Sequence, residues 1–182
     1  MLFNPRRFTL RDGREAVLRM AEPEDSEQMI RYLKDTAAET EFVLRYPEEC
    51  DRYTLEKERE LLESFKGDPN HLFLACFGGD RLAGNCGMQV FPQIKFRHRA
   101  DVAIALYREF WGQGIGTAML QAMTEVARER GILQLELEYI EGNERGRALY
   151  EKAGFAQVAE HPDAVRLKDG SLRKLILMIK KL

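Results

Sequence analysis

Two hydrophobic periods alternate along this chain. Ile115, Met119, Ala122, Met123, Val126 and Ala127 recur every three or four positions while Glu125, Arg128 and Glu129 fall on the other side. That spacing predicts an amphipathic helix over Gly114–Arg130, stopped by Gly131. Further helices are expected near Pro23–Thr36, Thr54–Phe65 and Glu144–Ala153. Apolar or alternating runs bounded by turn residues predict strands near Phe8–Leu10, Ala16–Arg19, Leu72–Phe77, Arg81–Phe91, Asp101–Leu106, Leu133–Tyr139, Ala164–Lys168 and Leu172–Ile179. Asp12-Gly13 and Asp169-Gly170 are two-residue hairpin signals, and Gly78-Gly79 separates two apolar runs. Hairpins among strands that also alternate with helices imply a mixed sheet, so the fold class is α/β, or α+β where the antiparallel part is weighted. No repeat breaks the pattern, and residues 1–182 read as one domain.

The main helix starts from a turn with chemistry of its own: Trp111-Gly112-Gln113-Gly114-Ile115-Gly116-Thr117. Glycine allows positive φ and close approach of a ligand to the backbone. The first turn of a helix also leaves amide hydrogens without intrahelical partners, at the positive end of the dipole. Together these features make an anion cradle suited to a diphosphate. A dinucleotide fingerprint would place a third glycine where Thr117 stands, and a phosphate-binding loop of the Gly-Lys-Ser/Thr type would need a lysine that is absent. Glycines that merely tighten a strand-to-helix connection are the plain alternative.

A second segment, Asn143-Glu144-Arg145-Gly146-Arg147-Ala148-Leu149-Tyr150-Glu151-Lys152-Ala153-Gly154-Phe155, opens on a capping asparagine and closes on a glycine stop. The pair of segments resembles the GCN5-related N-acetyltransferases (GNAT), whose pattern is Gln/Arg-x-x-Gly-x-Gly/Ala at one helix start and Asn-x-x-Ala-x-x-Leu-Tyr-x-Lys-x-Gly-Phe after the next strand. Trp111 stands where the family has Arg or Gln, and Gly146 where Ala is usual. Neither departure removes a backbone donor. More loosely, the resemblance runs from the strand pair near Phe8 to the C-terminal hairpin.

The resemblance implies a mixed, splayed central β-sheet flanked by helices on both faces, with the pantetheine arm of acetyl-CoA entering the splay as an added strand. It places Ile104 and Leu106 on the strand that pairs with the arm, and Trp111, Gly112, Gln113, Gly114, Ile115, Gly116 and Thr117 around the diphosphate. Asn143 matches the residue that touches the arm, or is a plain helix cap. Lys152 or Arg147 would meet phosphate oxygens, or belong to the solvated surface. Tyr150 matches the acid that protonates the departing thiolate, and amides near Leu106 would serve the thioester oxygen. Asp101 is the favoured base, acting through water, with Glu109 and His98 as neighbours in sequence. Direct transfer to an amine in a ternary complex follows, because Cys76 and Cys86 lack the electropositive turn and partner histidine of a reactive thiol. The activity implied is acetyl-CoA-dependent N-acetylation of a small amine or a peptide amine. The alternative is a non-catalytic acyl-CoA-binding regulatory module. Longer acyl groups, and a monomer or a homodimer, stay open.

Composition adds limits. Three cysteines, Cys50, Cys76 and Cys86, show no metal-ligand spacing, so no metal is expected. No apolar segment is long enough for a membrane span, Met1–Arg7 lacks an apolar leader core, and a reducing cytoplasmic setting is expected. A net charge of −2 without a basic, aromatic-rich stripe excludes nucleic acid. Residues 22–63 hold fourteen acids against six bases, a net of −8, which leaves +6 for the remainder. A positive remainder suits the anionic donor, and an acidic wall would attract a cationic amine.

Overall fold

The computed structural model describes residues 1–182. Its strands are β1 (Arg6–Thr9), β2 (Glu15–Met20), β3 (His71–Gly78), β4 (Arg81–Val90), β5 (Arg99–Leu106), β6 (Gln134–Ile140), β7 (Ala156–Arg166) and β8 (Leu172–Lys181). They form one sheet in the order β1-β2-β3-β4-β5-β6-β8-β7, antiparallel except between β5 and β6. The helices are α1 (Ser26–Glu39), α2 (Leu55–Phe65), α3 (Ile115–Glu129) and α4 (Glu144–Lys152). Parallel neighbours cannot be joined by a hairpin, and α3 is the crossover between β5 and β6.

Side-chain alternation assigns the helices to opposite faces of the sheet. Leu74, Cys86 and Ile104 form one cross-strand row. A β-carbon on Gly116 of α3 would lie 3.7 Å from Ile104 Cδ1, so this face belongs to α3. The other row, Ala75, Asn85 and Ala105, faces α1, where Asn85 Nδ2 reaches Met29 Sδ at 3.3 Å. Phe73 on that face meets Phe65 of α2 with ring centroids 5.3 Å apart. The buried stripe of α3 includes Ile115, Met119, Ala122, Met123, Val126 and Ala127, as its spacing predicted.

Three local expectations need correction. The strand expected at Ala164–Lys168 begins at Ala156, because an edge strand tolerates Pro162 by bulging between His161 and Val165, with Asp163 at φ +52°. Asp12-Gly13 and Asp169-Gly170 close three-residue turns, in which Leu10 N donates to Arg14 O at 2.7 Å and Leu167 N to Ser171 O at 2.9 Å. The two-residue turn is Gly79-Asp80, between β3 and β4. No element was expected between the helices near Pro23–Thr36 and Thr54–Phe65, yet this segment contains a 3-10 helix at Pro47–Arg52. It is tied to the β7–β8 turn by Lys168, whose Nζ lies 2.6 Å from Glu48 Oε1 and 4.5 Å from the Tyr46 ring centroid.

Candidate functional site

β5 and β6 share only three pairs, Arg99↔Gln134, Ala100↔Leu135 and Asp101↔Glu136, and then part. Beyond that junction β6 stays paired to β8 as far as Ile140, while β5 stays paired to β4 as far as Leu106. The sheet is therefore splayed. Tyr107 N donates to Ala83 O at 3.0 Å and Phe91 N to Arg99 O at 3.3 Å. Odd-numbered residues of β5 thus bond to β4, and even-numbered ones turn their amides and carbonyls to the opposite edge. The Val102 amide closes the last rung of the junction, so the Val102 carbonyl and the backbone of Ile104 and Leu106 face the gap. The Leu106 carbonyl already accepts the Trp111 indole N–H at 3.0 Å, so its amide is the freer group.

At the wide end of the gap, Gly112 and Gly114 take φ of +77° and +95° and swing the chain into α3. Ala118 is the first amide of the run with a backbone acceptor, Gly114 O at 3.1 Å. Amides from Gly112 to Thr117 have none, and Gly114 at the cap position supplies no side-chain acceptor. Ile115 and Gly116 are nevertheless buried. Buried amides are almost always paired, so this turn fits an anionic ligand of the diphosphate kind. The Gln113 side chain is engaged elsewhere, its Oε1 accepting the Asp12 amide at 3.1 Å.

α4 faces this turn from across the gap, and a β-carbon on Gly116 would meet Leu149 Cδ2 at 2.8 Å. Asn143 caps the helix, its Oδ1 accepting the Gly146 amide at 2.9 Å. A β-carbon on Gly146 would lie 2.7 Å from Asn143 Nδ2, so this glycine lets the asparagine fold back over its own helix. Arg147 is paired to Glu151 at 2.8 Å, and Lys152 is exposed at the far end of α4. The cation that reaches the turn is one the motifs did not flag. Arg145 stacks on Trp111 with Cζ 5.2 Å from the ring centroid, and its Nη2 is 3.9 Å from the point a Gly112 β-carbon would occupy. The clue was the missing Arg or Gln at position 111.

Tyr150 is buried between Tyr139 and Phe155, at centroid distances of 5.9 and 6.4 Å. Burial, and then the Tyr139 phenol, push its pKa up to about 12, so it is a protonated donor at neutral pH. Its hydroxyl has no partner in the chain, yet the one sealed-off side-chain polar atom without a partner is Tyr32 Oη. The Tyr150 hydroxyl therefore opens on accessible space.

Asp101 sits at the junction on the α1/α2 face. Desolvation raises its pKa first, the Glu136 charge next, and Glu138 adds to this against the opposing pull of Arg99. Glu136 is buried and bonded to Arg99, whose Nη2 donates to Oε2 at 2.7 Å, and to Gln134 Nε2 at 2.6 Å. Those bonds, led by Arg99, hold its pKa down. Arg99 is itself flanked by Phe91 and Phe96, at 5.1 and 5.2 Å. Glu136 and Glu138 were not singled out in sequence; their alternation with Leu135 and Leu137 was the available signal. The structure separates Glu109 from this group, placing it beyond the other end of β5, 2.6 Å from Arg81. His98 is exposed just before β5. Cys76 and Cys86 are buried, and desolvation pushes the Cys76 thiol up to about 12 and Cys86 upward as well. Neither is a thiolate nucleophile at neutral pH.

The acid-rich segment is more neutralised than its composition suggests. Asp25, Glu27, Asp51, Glu48 and Glu63 are each in an ion pair. Asp35 accepts the Tyr107 hydroxyl at 2.8 Å, and Glu39 accepts the Arg108 amide at 2.8 Å. The carboxylates without a cation partner nearest the junction are those of Asp101 and Glu138, on the sheet itself.

Comparison with known proteins agrees with this geometry. Residues 28–155 match the acetyltransferase (GNAT) family. The chain is 49% identical over 51 residues to mycothiol acetyltransferase of Beutenbergia cavernae, covering 28% of this chain and 17% of that protein, so it spans about a sixth of that relative. A GNAT-family acetyltransferase from Streptococcus pneumoniae superposes with a TM-score of 0.84 at 25% identity, covering 92% of this chain and 99% of the other. The yncA protein of Salmonella typhimurium, solved with its cofactor acetyl-CoA, has a TM-score of 0.77 at 18% identity, covering 92% and 94%. No helix is long and apolar enough to cross a membrane.

Proposed function

This chain belongs to the GNAT acetyltransferase family, and from that premise we propose that it is an acetyl-CoA-dependent N-acetyltransferase that passes the acetyl group directly to an amine. The observation that carries the reading is the run of amides from Gly112 to Thr117, without acceptors, at the wide end of a gap edged by the even-numbered backbone of β5. These amides fit a diphosphate, and the free edge from the Val102 carbonyl through Ile104 to Leu106 fits an amide-bearing arm. Acetyl-CoA, when bound, supplies a thioester whose acyl carbon is open to attack by an amine.

The chain's own groups then have distinct tasks. Asp101 takes a proton from the ammonium, through water, so that the nitrogen lone pair becomes available. An amide of the β5 edge, with Leu106 best placed, donates to the thioester oxygen as it gains charge. Tyr150 donates its phenolic proton to the departing sulfur, and its raised pKa keeps that proton in place beforehand. The acceptor approaches from the α1/α2 face, where Ala103 and Gly87 keep the floor low beside Asp101. Asp101 and Glu138 favour a cationic amine there, small or at the end of a peptide.

The test is thiol release from acetyl-CoA across a panel of amines at two ionic strengths. Turnover is expected, with polyamines and basic peptides ahead of neutral arylamines at low salt. Tight acetyl-CoA binding without turnover on any acceptor would return the chain to the non-catalytic acyl-CoA-binding reading. Neutral amines leading at both salts would remove the charge argument and leave the acetyl-transfer reading intact.

A further inference from the structure

We propose that Arg145, laid against Trp111, is a cationic clamp that closes on the donor's diphosphate from the side the glycine turn leaves open. The inference rests on the acetyl-CoA reading of that turn. Trp111 is fixed at the end of β5 by its indole bond to Leu106 O, so its ring is a rigid platform. Two guanidinium groups lie against it, Arg145 at 5.2 Å and Arg108 at 5.4 Å. They are not equivalent. Arg108 is tethered, since its guanidinium donates to the Glu39 carbonyl and its amide to the Glu39 carboxylate. Arg145 has no carboxylate partner and no hydrogen-bond acceptor in the chain. Its neighbour Arg147, by contrast, is engaged by Glu151 at 2.8 Å.

The position of Arg145 points to a phosphate. Its Nη2 comes within 3.9 Å of the Gly112 β-carbon position, at the rim of the run of free amides. Guanidinium presents paired N–H donors in a plane that matches phosphate oxygens, and stacking on an indole holds that plane without using any of those donors. The residue at position 111 points the same way. Where the resemblance calls for Arg or Gln, position 111 carries an indole with neither charge nor amide. The missing donor group returns from α4. Because Trp111 follows β5 and Arg145 follows β6, a phosphate held between them ties the two arms of the splay together.

Trp111 is the only tryptophan in the chain, so its fluorescence reports directly on the clamp. The wild-type protein is titrated with coenzyme A and with pantetheine, which lacks the diphosphate, and compared with Arg145→Gln and Arg145→Lys. Coenzyme A is expected to change the emission and pantetheine to leave it nearly unchanged. Arg145→Gln should weaken coenzyme A binding by roughly 10-fold at low salt and flatten its salt dependence, as expected for one lost charge-assisted phosphate contact. Arg145→Lys should recover only part, because a point charge replaces a planar fork. Pantetheine affinity, measured by calorimetry, should be the same in all three proteins. Wild-type affinity and salt slope in Arg145→Gln would overturn the clamp and leave the donor site standing. Equal weakening of pantetheine would also overturn it, since the defect would then lie in the arm site. A wild-type protein that ignores coenzyme A would overturn both readings.

Discussion

A matched pair of glycine substitutions separates the work of the turn from its stability. Gly114 and Gly170 have φ of +95° and +85°, and a β-carbon at either would find no atom within 4 Å. Alanine therefore meets the same backbone strain at both sites and no clash, at about 1–2 kcal/mol each. At Gly170 the strain has one outlet, the stability of the β7–β8 hairpin. At Gly114 there is a second outlet, because the turn can relax toward negative φ by rotating its peptide planes. The helix cannot follow, since Ile115 and Gly116 are buried and Gly116 abuts Leu149. Relaxation then falls on the amides between Gly112 and Ile115. If it is taken wholly in binding, Gly114→Ala should weaken acetyl-CoA by roughly 5- to 30-fold. Gly170→Ala should lower the urea midpoint and leave acetyl-CoA affinity unchanged. Calorimetric titration and urea unfolding of both variants make the comparison. Wild-type affinity together with a wild-type urea midpoint in Gly114→Ala, meaning that the turn relaxes at no cost to binding, would refute the claim that these amides grip the ligand.

The remaining predictions concern protons. Tyr150→Phe should lower kcat on the order of 10²-fold or more through loss of the acid, and hardly alter the urea midpoint, because the hydroxyl makes no bond within the chain; an unchanged kcat would remove Tyr150 as the acid. Glu136→Gln should move the acidic limb of the kcat/KM profile to lower pH, since it removes a charge that raises the Asp101 pKa and releases Arg99, which lowers it. A stationary limb in an active variant would exclude Asp101 as the titrating base. Tyr150, with its pKa raised to about 12, binds its proton more tightly in the folded chain than in the unfolded one. Because burial penalises the phenolate, the fold is unaffected by this ionisation below about pH 10 and loses stability as pH rises toward 12, with a slope of about 1.4 kcal/mol per pH unit. Urea unfolding on either side of that window checks the slope, which Tyr150→Phe should reduce.

How far the sequence reached depends on whether the determining interaction is local. The amphipathic stripe of α3 and its glycine turn are consecutive residues, and both were legible to within a residue or two. β7 was read too short because Pro162 and Asp163 argue against a strand everywhere except at a bulged sheet edge, and edge position is a property of the assembled sheet. The three-residue turns escaped for a related reason, since Asp-Gly is compatible with either loop length until the strand register is set. In the site, Asp101 could be named from the family resemblance, but the Glu136 and Glu138 charges that shift it arrive from a strand more than thirty positions later. Arg145 carried no signal of its own in the sequence. Its proposed task arises where the segments that follow β5 and β6 meet beside Trp111.

The three-rung junction between β5 and β6 leaves both strands, past Asp101 and Glu136, with bare backbone along the middle of the molecule. Most proteins shield such unsatisfied strand margins at their periphery, because another extended chain can zip onto them. Here the seam lies inside the sheet, between β5 and β6. The margin proposed to take the extended donor arm is thus also the one for which any other extended segment would compete.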